Sequence, residues 1–388
     1  MTIMPKMIFL KLVLLIGLIA SPGLSVAQTD RFQKLGVVLD PWSEAQIAFW
    51  REVYTHYKSE DYIVHDSVDL AHVYGVVKSE QEASAKKAEI RKSLLHMVAL
   101  AKKSGAVNVA DLNADEKKLF QIFDQDTDPE AYQFAADPER FRTQIGQKDH
   151  LENAYTISRH YLTRMEEMLI EEGVPKELSR LPFVESSFNQ NAKSSVGAIG
   201  IWQFMPKTAM QDLRVDSAID ERYDPLKSTR AAAKFLKRND RILKNWGLAI
   251  MAYNQGAGLE QKAIRRLGTH DPVQIIRVFK DPQFHFASRN YLFEFLAMTD
   301  VDAKHDLFFK KEAELKLPAF ITVSFPTRLK METILAHYHV KEAETRLLNP
   351  HFLAPIWKGT ATIPAHYPVR LAGITLEEFR DLQYPKNQ

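Results

Sequence analysis

The chain has 388 residues, 45% of them hydrophobic, with no cysteine and 51 Lys and Arg against 49 Asp and Glu. The missing cysteines exclude a disulfide framework and a lipid-modified N-terminal Cys, so stability must come from packed cores. The formal charge of +2 falls to zero if Lys6 and Lys11 are removed with the leader, which argues against nucleic acid as a partner.

Residues 1–27 combine Lys6 and Lys11, an apolar run from Ile8 to Ala20, the breakers Pro22 and Gly23, and a small-x-small end at Ser25-Val26-Ala27. That order predicts a cleavable signal peptide rather than a spanning helix, since the run is too short to cross a bilayer. The expected location is therefore periplasmic or secreted, with no stable membrane insertion after cleavage. About 360 residues remain, enough for two or three cores.

From 28 to 150 the chain reads as a helical region. Ile47, Phe49, Trp50, Val53, Tyr54 and Tyr57 recur at helical spacing, and Glu80 to Lys103 is rich in Ala, Lys and Glu with Leu94, Leu95, Val98 and Leu100 as its apolar positions. His56, His65, His72 and His96 have no metal-ligand spacing, and no metal or cofactor is expected.

Between 151 and 305 no alternating strand pattern is found, which predicts an all-α unit. Tyr155, Tyr161, Met165, Met168 and Leu169 mark an amphipathic helix stopped by Gly173, and Pro175 begins the next. Further helices are predicted near Pro206, over Ser228 to Leu243, Trp246 to Tyr253, Gly258 to Leu267, and Ala287 to Val301. Residues 306–388 change texture: Phe320 to Val323 and Thr360 to Ile363 read as strands flanking helical Met331 to His337 and Val340 to Leu348, a small α+β module.

One stretch, LPFVESSFNQNAKSSVGAIGIWQFMP (181–206), concentrates chemistry. On a helix, Glu185 projects along the apolar stripe of Leu181 and Phe188. Its position alone fits a helix-end cap or ion pair as well as a desolvated carboxyl kept protonated for general acid work. The neutral donors Ser186, Ser187, Asn189, Asn191, Ser194 and Ser195 follow, with Gly197 and Gly200 permitting close backbone approach. Trp202, Gln203 and Phe204 then supply the aromatic faces and amide of a carbohydrate cleft. A second polar cluster, Ala252-Tyr253-Asn254-Gln255-Gly256, closes an apolar helix; it serves either as a plain helix stop or as a partner to Glu185.

VESSFNQNAKSSVGAIGIWQFMPKTA followed by LAIMAYNQGAG resembles the catalytic domain of family 1 lytic transglycosylases, most closely the branch containing membrane-bound lytic murein transglycosylase D. The family's signatures stand here as Glu185-Ser186, Gly200-Ile201-Trp202-Gln203 and Ala252-Tyr253-Asn254, and DERYDPLKSTRAAAKFL (220–236) fits the same branch. The resemblance implies a mainly α protein with a goose-lysozyme-like catalytic domain. It makes Glu185 the acid and base that cleaves the bond between N-acetylmuramic acid and N-acetylglucosamine, with 1,6-anhydromuramoyl ends as product. Ser186, Ser194, Gln203, Tyr253, Asn254 and Tyr291 would bind the glycan strand of peptidoglycan.

Many relatives carry Glu-Thr before the Arg-Asn-Tyr of the last catalytic helix, where this chain has Ala287-Ser288-Arg289-Asn290-Tyr291. No second acid lies in the cleft loop; Asp212, Asp216, Asp220, Glu221 and Asp224 fall in a segment read as structural. The tail is loosely similar to the peptidoglycan-binding LysM pattern but lacks its Gly-Asp-Thr opening, and reads as a degenerate structural appendage in preference to the alternative, a working glycan-binding module. Two rival functions stand beside the first: a hydrolytic muramidase of the same fold, and a catalytically silent peptidoglycan-binding protein. The sequence sets no oligomeric state.

Overall fold

A computed structural model describes residues 31–123, 128–310 and 317–382; the leader expected at 1–27 lies outside them. The helix Pro41–Thr55 opens on a reciprocal cap, Asp40 accepting from the Ser43 amide while Ser43 bonds back, with Pro41 in the first turn. Its buried face, Ile47, Trp50, Val53 and Tyr54, packs against the helix Phe286–Asp302, and Trp50 Nε1 donates to Asn290 Oδ1 at 3.1 Å.

The region expected to be helical up to residue 150 also holds a sheet. Strands β1 (Tyr62–Asp66), β2 (Val73–Val77) and β3 (Phe141–Ile145) form an antiparallel sheet in the order β2-β1-β3, with Tyr62 opposite both Val77 and Ile145. Their β-branched residues suit a pleated surface, and each strand has only five residues, too few for a helical period to be distinguished. The helix Glu80–Ser104 closes a second apolar cluster over this sheet, with Leu94, Met97 and Val98 packed among Val64, Tyr74 and Tyr132.

Apolar residues from Phe32 to Leu70 share one continuous core with residues from Leu151 to Phe309, so the first helix is built into the unit that follows the sheet. That unit is helical, as expected. The predicted single helix around Met165 is two, Lys148–Ser158 and Leu162–Glu171; the helices Pro225–Leu243, Trp246–Gln255 and Ala257–Leu267 follow in order. Pro175 opens a 3-10 turn, Lys176–Arg180, before the short helix Leu181–Ser186.

In the C-terminal module β4 (Phe320–Val323) pairs antiparallel with β5 (Val369–Ala372), Phe320 opposite Ala372. This corrects the strand expected at Thr360 to Ile363, of which only Ile363 makes an isolated bridge, to Leu329. Pro364 removes the next ladder donor, and it is Val369 and Leu371 that alternate into the core. The module's core, including Phe325, Ile334 and Ile356, also takes in Ile219 from the preceding unit.

Candidate active site

Glu185 sits in the last turn of the helix Leu181–Ser186, a helix too short to be stable by itself and fixed by burial of Leu181, Pro182 and Phe183. Ser187 and Phe188 end it in left-handed backbone, φ +48° and +57°. Two non-glycine residues hold that conformation because Phe188 is fully buried and its amide bonds to the Pro182 carbonyl at 3.0 Å. The reversal turns the chain back so that the next loop covers the helix, and Ser186 Oγ donates to the Ile201 carbonyl at 3.0 Å.

The loop is a tight double turn, with bridges from Ile199 to Lys193 and to Phe204. Gly200, φ +80°, is required: a Cβ there would lie 2.0 Å from the Arg222 carbonyl oxygen. Gln203 is also left-handed, and its Nε2 donates to the Gly200 carbonyl at 2.9 Å, leaving its amide oxygen for a ligand. Ser194 Oγ accepts from the Ala198 amide at 2.9 Å, so Ser194 shapes the loop and keeps its hydroxyl proton to donate.

Trp202 and Phe204 do not offer faces to a sugar. Trp202 is fully buried with Nε1 donating to Thr229 Oγ1 at 2.9 Å, and Phe204 is buried against Tyr253. They are the apolar underside of the loop, a role their size favours once the glycines turn the backbone.

Tyr291, buried on the helix Phe286–Asp302, donates its hydroxyl to Glu185 Oε1. Tyr253 donates its hydroxyl to the Trp202 carbonyl at 2.7 Å, so it cannot also donate to Glu185; its oxygen remains an acceptor. Burial, with the Glu185 charge added to it, pushes the phenols of Tyr253 and Tyr291 far up. Asn254, in the last turn of the helix Trp246–Gln255, is exposed. The structure thus brings Glu185, Ser186, Tyr253 and Tyr291 together, with Gln203 and Ser194 on the covering loop.

Glu185 is half-buried as a residue, but its carboxyl lies among protein atoms. Burial raises it to about 7, against the opposing pull of the Tyr291 hydroxyl. At neutral pH it is divided between acid and carboxylate, the condition for giving a proton and then taking one.

A further carboxyl, passed over in the sequence, stands one turn beyond Tyr291. Glu294 is pushed up to about 8 by burial and by the charge of Glu185. Its signal was the one that marked Glu185: a lone carboxylate in an apolar run, here Leu292-Phe293-Glu294-Phe295-Leu296.

The five acids read as structural are all engaged in ion pairs. Asp212 pairs with Arg238 at 2.8 Å, Asp216 with Arg214 at 2.7 Å, Asp220 with Arg222 at 2.7 Å, Glu221 with Lys227 at 2.6 Å and Asp224 with Arg370 at 2.6 Å. Among the described residues no group of three or more His, Cys, Asp or Glu is placed to hold a metal ion. No helix of the described residues is long and apolar enough to cross a membrane.

Residues 165–276 match the family described as Transglycosylase SLT domain. The chain is 33% identical over 120 residues to membrane-bound lytic murein transglycosylase D of Escherichia coli K12, covering 30% of this chain and 26% of that protein. It is 30% identical over 159 residues to membrane-bound lytic murein transglycosylase C of Glaesserella parasuis, covering 35% of this chain and 43% of that protein. The matches thus span less than half the length of each of these two relatives. Among solved structures, the 70 kDa soluble lytic transglycosylase of Escherichia coli aligns with a TM-score of 0.34 at 15% identity, over 58% of this chain and 44% of that one.

Proposed function

Because residues 165–276 form a transglycosylase SLT domain, we propose that this protein is an exported peptidoglycan lytic transglycosylase. Its substrate is the β-1,4 bond between N-acetylmuramic acid and N-acetylglucosamine, and its role is remodelling or turnover of the cell wall. Export rests on the leader-like sequence of residues 1–27.

In the proposed reaction Glu185, protonated, gives its proton to the glycosidic oxygen as the bond to C1 of muramic acid breaks. The resulting carboxylate takes the proton of the C6 hydroxyl, whose oxygen closes on C1. The enzyme is returned protonated, and the product is a 1,6-anhydromuramoyl end. Tyr291 holds the carboxyl in place, while Ser186, Ser194, Gln203, Tyr253 and Asn254 position the strand.

The observation that carries this reading is the Glu185 carboxyl, raised by burial and held by the Tyr291 hydroxyl. Burial raises both Glu185 and Glu294, and the charge of Glu185 raises Glu294 further, so the two carboxyls titrate as a pair.

The test is digestion of purified peptidoglycan with mass analysis of the muropeptides. Anhydro ends are expected; reducing ends would make the protein a muramidase, and no products a silent binding protein. Glu185→Gln is expected to abolish product with the fold retained, and persistent cleavage by that variant would remove Glu185 from the assignment.

A further inference from the structure

The floor beneath the covering loop is the segment 220–224. Arg222, buried, pairs its Nε and Nη2 with Asp220 at 2.9 and 2.7 Å. Its Nη1 donates to the carbonyls of Gly197 and Phe204, both at 3.0 Å, so one guanidinium ties two points of the loop together. The Arg222 carbonyl is also the atom against which Gly200 lies. A planar fork with five fixed donors can hold a carboxylate and two carbonyls at once, which no other side chain can do.

This floor is in turn held by the C-terminal module. Asp220 N donates to the His351 carbonyl and Leu353 N to the Ala218 carbonyl, each at 2.9 Å, and Ile219 is fully buried in the module's core. Tyr367 donates its hydroxyl to Glu221 at 2.6 Å. Asp224, wholly buried, accepts from Arg370 Nη1 at 2.6 Å while its Oδ1 caps the helix Pro225–Leu243. A buried anion of this kind requires its cation: breaking such a pair leaves an uncompensated charge.

We infer that the C-terminal module is an intramolecular brace for the cleft loop, and that Arg222 is the positioning residue through which its hold reaches Gln203 and Ser194. The assignment of the loop as glycan-binding rests on the function proposed above; the mechanical coupling does not. The module's own core takes in Ile219, with Ala218 packed against it, from the unit it braces.

Hydrogen exchange at the amides of Ile199, Gln203 and Phe204, each bonded within the loop, reads the coupling in the full-length protein. In Arg222→Met these amides are expected to exchange about tenfold faster, with Arg222→Lys restoring part of the protection. On peptidoglycan, Arg222→Met should raise KM more than it lowers kcat and leave the descending limb of the pH profile in place, since Glu185 and Tyr291 are untouched. Arg370→Gln and the milder Tyr367→Phe should accelerate the same loop amides from across the interface. Loop exchange at the wild-type rate in folded Tyr367→Phe and Arg370→Gln, with changes confined to 214–224, overturns the brace; should Arg370→Gln not fold, Tyr367→Phe decides alone. If the wild-type protein releases no product, the proposed function falls, while loop exchange still judges the brace.

Discussion

At the residue scale the site is a problem of keeping one carboxyl neutral without leaving it unpartnered. Burial lifts Glu185 to about 7, and the Tyr291 hydroxyl bond, which favours the carboxylate, stops it rising further. Tyr291→Phe therefore has a signed outcome: kcat falls about tenfold or more as the carboxyl loses its orientation, and the descending limb of kcat/KM against pH moves to higher pH. A limb that stays in place or moves down would show that the hydroxyl does not bond the charged form. Glu294→Gln behaves differently. Because the proposed reaction gives Glu294 no proton transfer and glutamine keeps its shape, that variant should keep activity within a few-fold; loss of activity comparable to Glu185→Gln, measured by product release, would make Glu294 a second working group. Of these residues Glu185 stood out by its apolar surroundings, but its role, like that of Tyr291, was implied only by the family resemblance. Glu294 carried the same signal as Glu185 and was missed because no flanking glycines or polar residues drew attention to it.

At the scale of elements, two pieces of local structure place the chemistry. In the helix Phe286–Asp302, the roughly 100° step per residue sends three consecutive residues to three tasks: Arg289 to the Phe279 carbonyl at 3.0 Å, Asn290 to Trp50, and Tyr291 to Glu185. The covering loop depends on glycine in the opposite way, through what is absent. Gly200→Ala puts a Cβ against the Arg222 carbonyl in a backbone conformation that alanine resists, and should cost about 2–4 kcal/mol in a denaturant titration. A midpoint shift below about 0.5 kcal/mol would mean that the loop relaxes freely and that its geometry is not fixed by this contact. The helices were legible because amphipathic periods and caps such as Asp224-Pro225 are local. The inward turn of Trp202 and Phe204 was not, because the sequence has the same glycine-rich, aromatic pattern whichever side of the loop the rings take.

At the scale of the whole molecule, buried charge sets how stability depends on pH. Glu260 is fully buried beside Gln255 and raised to about 7, as burial also raises Glu185 and Glu294. A folded-state value above the unfolded 4.5 means that the folded chain holds the proton more tightly, so this contribution is full below about 4.5 and is lost as pH rises through 7 to 8. Asp224 is held well below its ordinary value by His351 and Arg370, so its contribution is present above 3.8 and lost as pH falls. Thermal stability should therefore peak near pH 5 and decline on both sides. Glu260→Gln should flatten the alkaline decline by on the order of 2 kcal/mol while changing little at pH 5, a difference scanning calorimetry at the two pH values reads directly. An equal gain at both would show that Glu260 is not protonated at pH 5 in the fold. The sequence by itself determined the helical class of the central unit and its caps and turns, because these follow from local periodicity and backbone preference read along the chain. Tertiary structure decided the rest: that the first helix belongs to the central core, that five-residue strands pair across about 80 residues of chain, and that Tyr291, Glu294 and Arg222 converge on the site. Those facts depend on which distant surfaces exclude water from one another, and no local pattern records the partner.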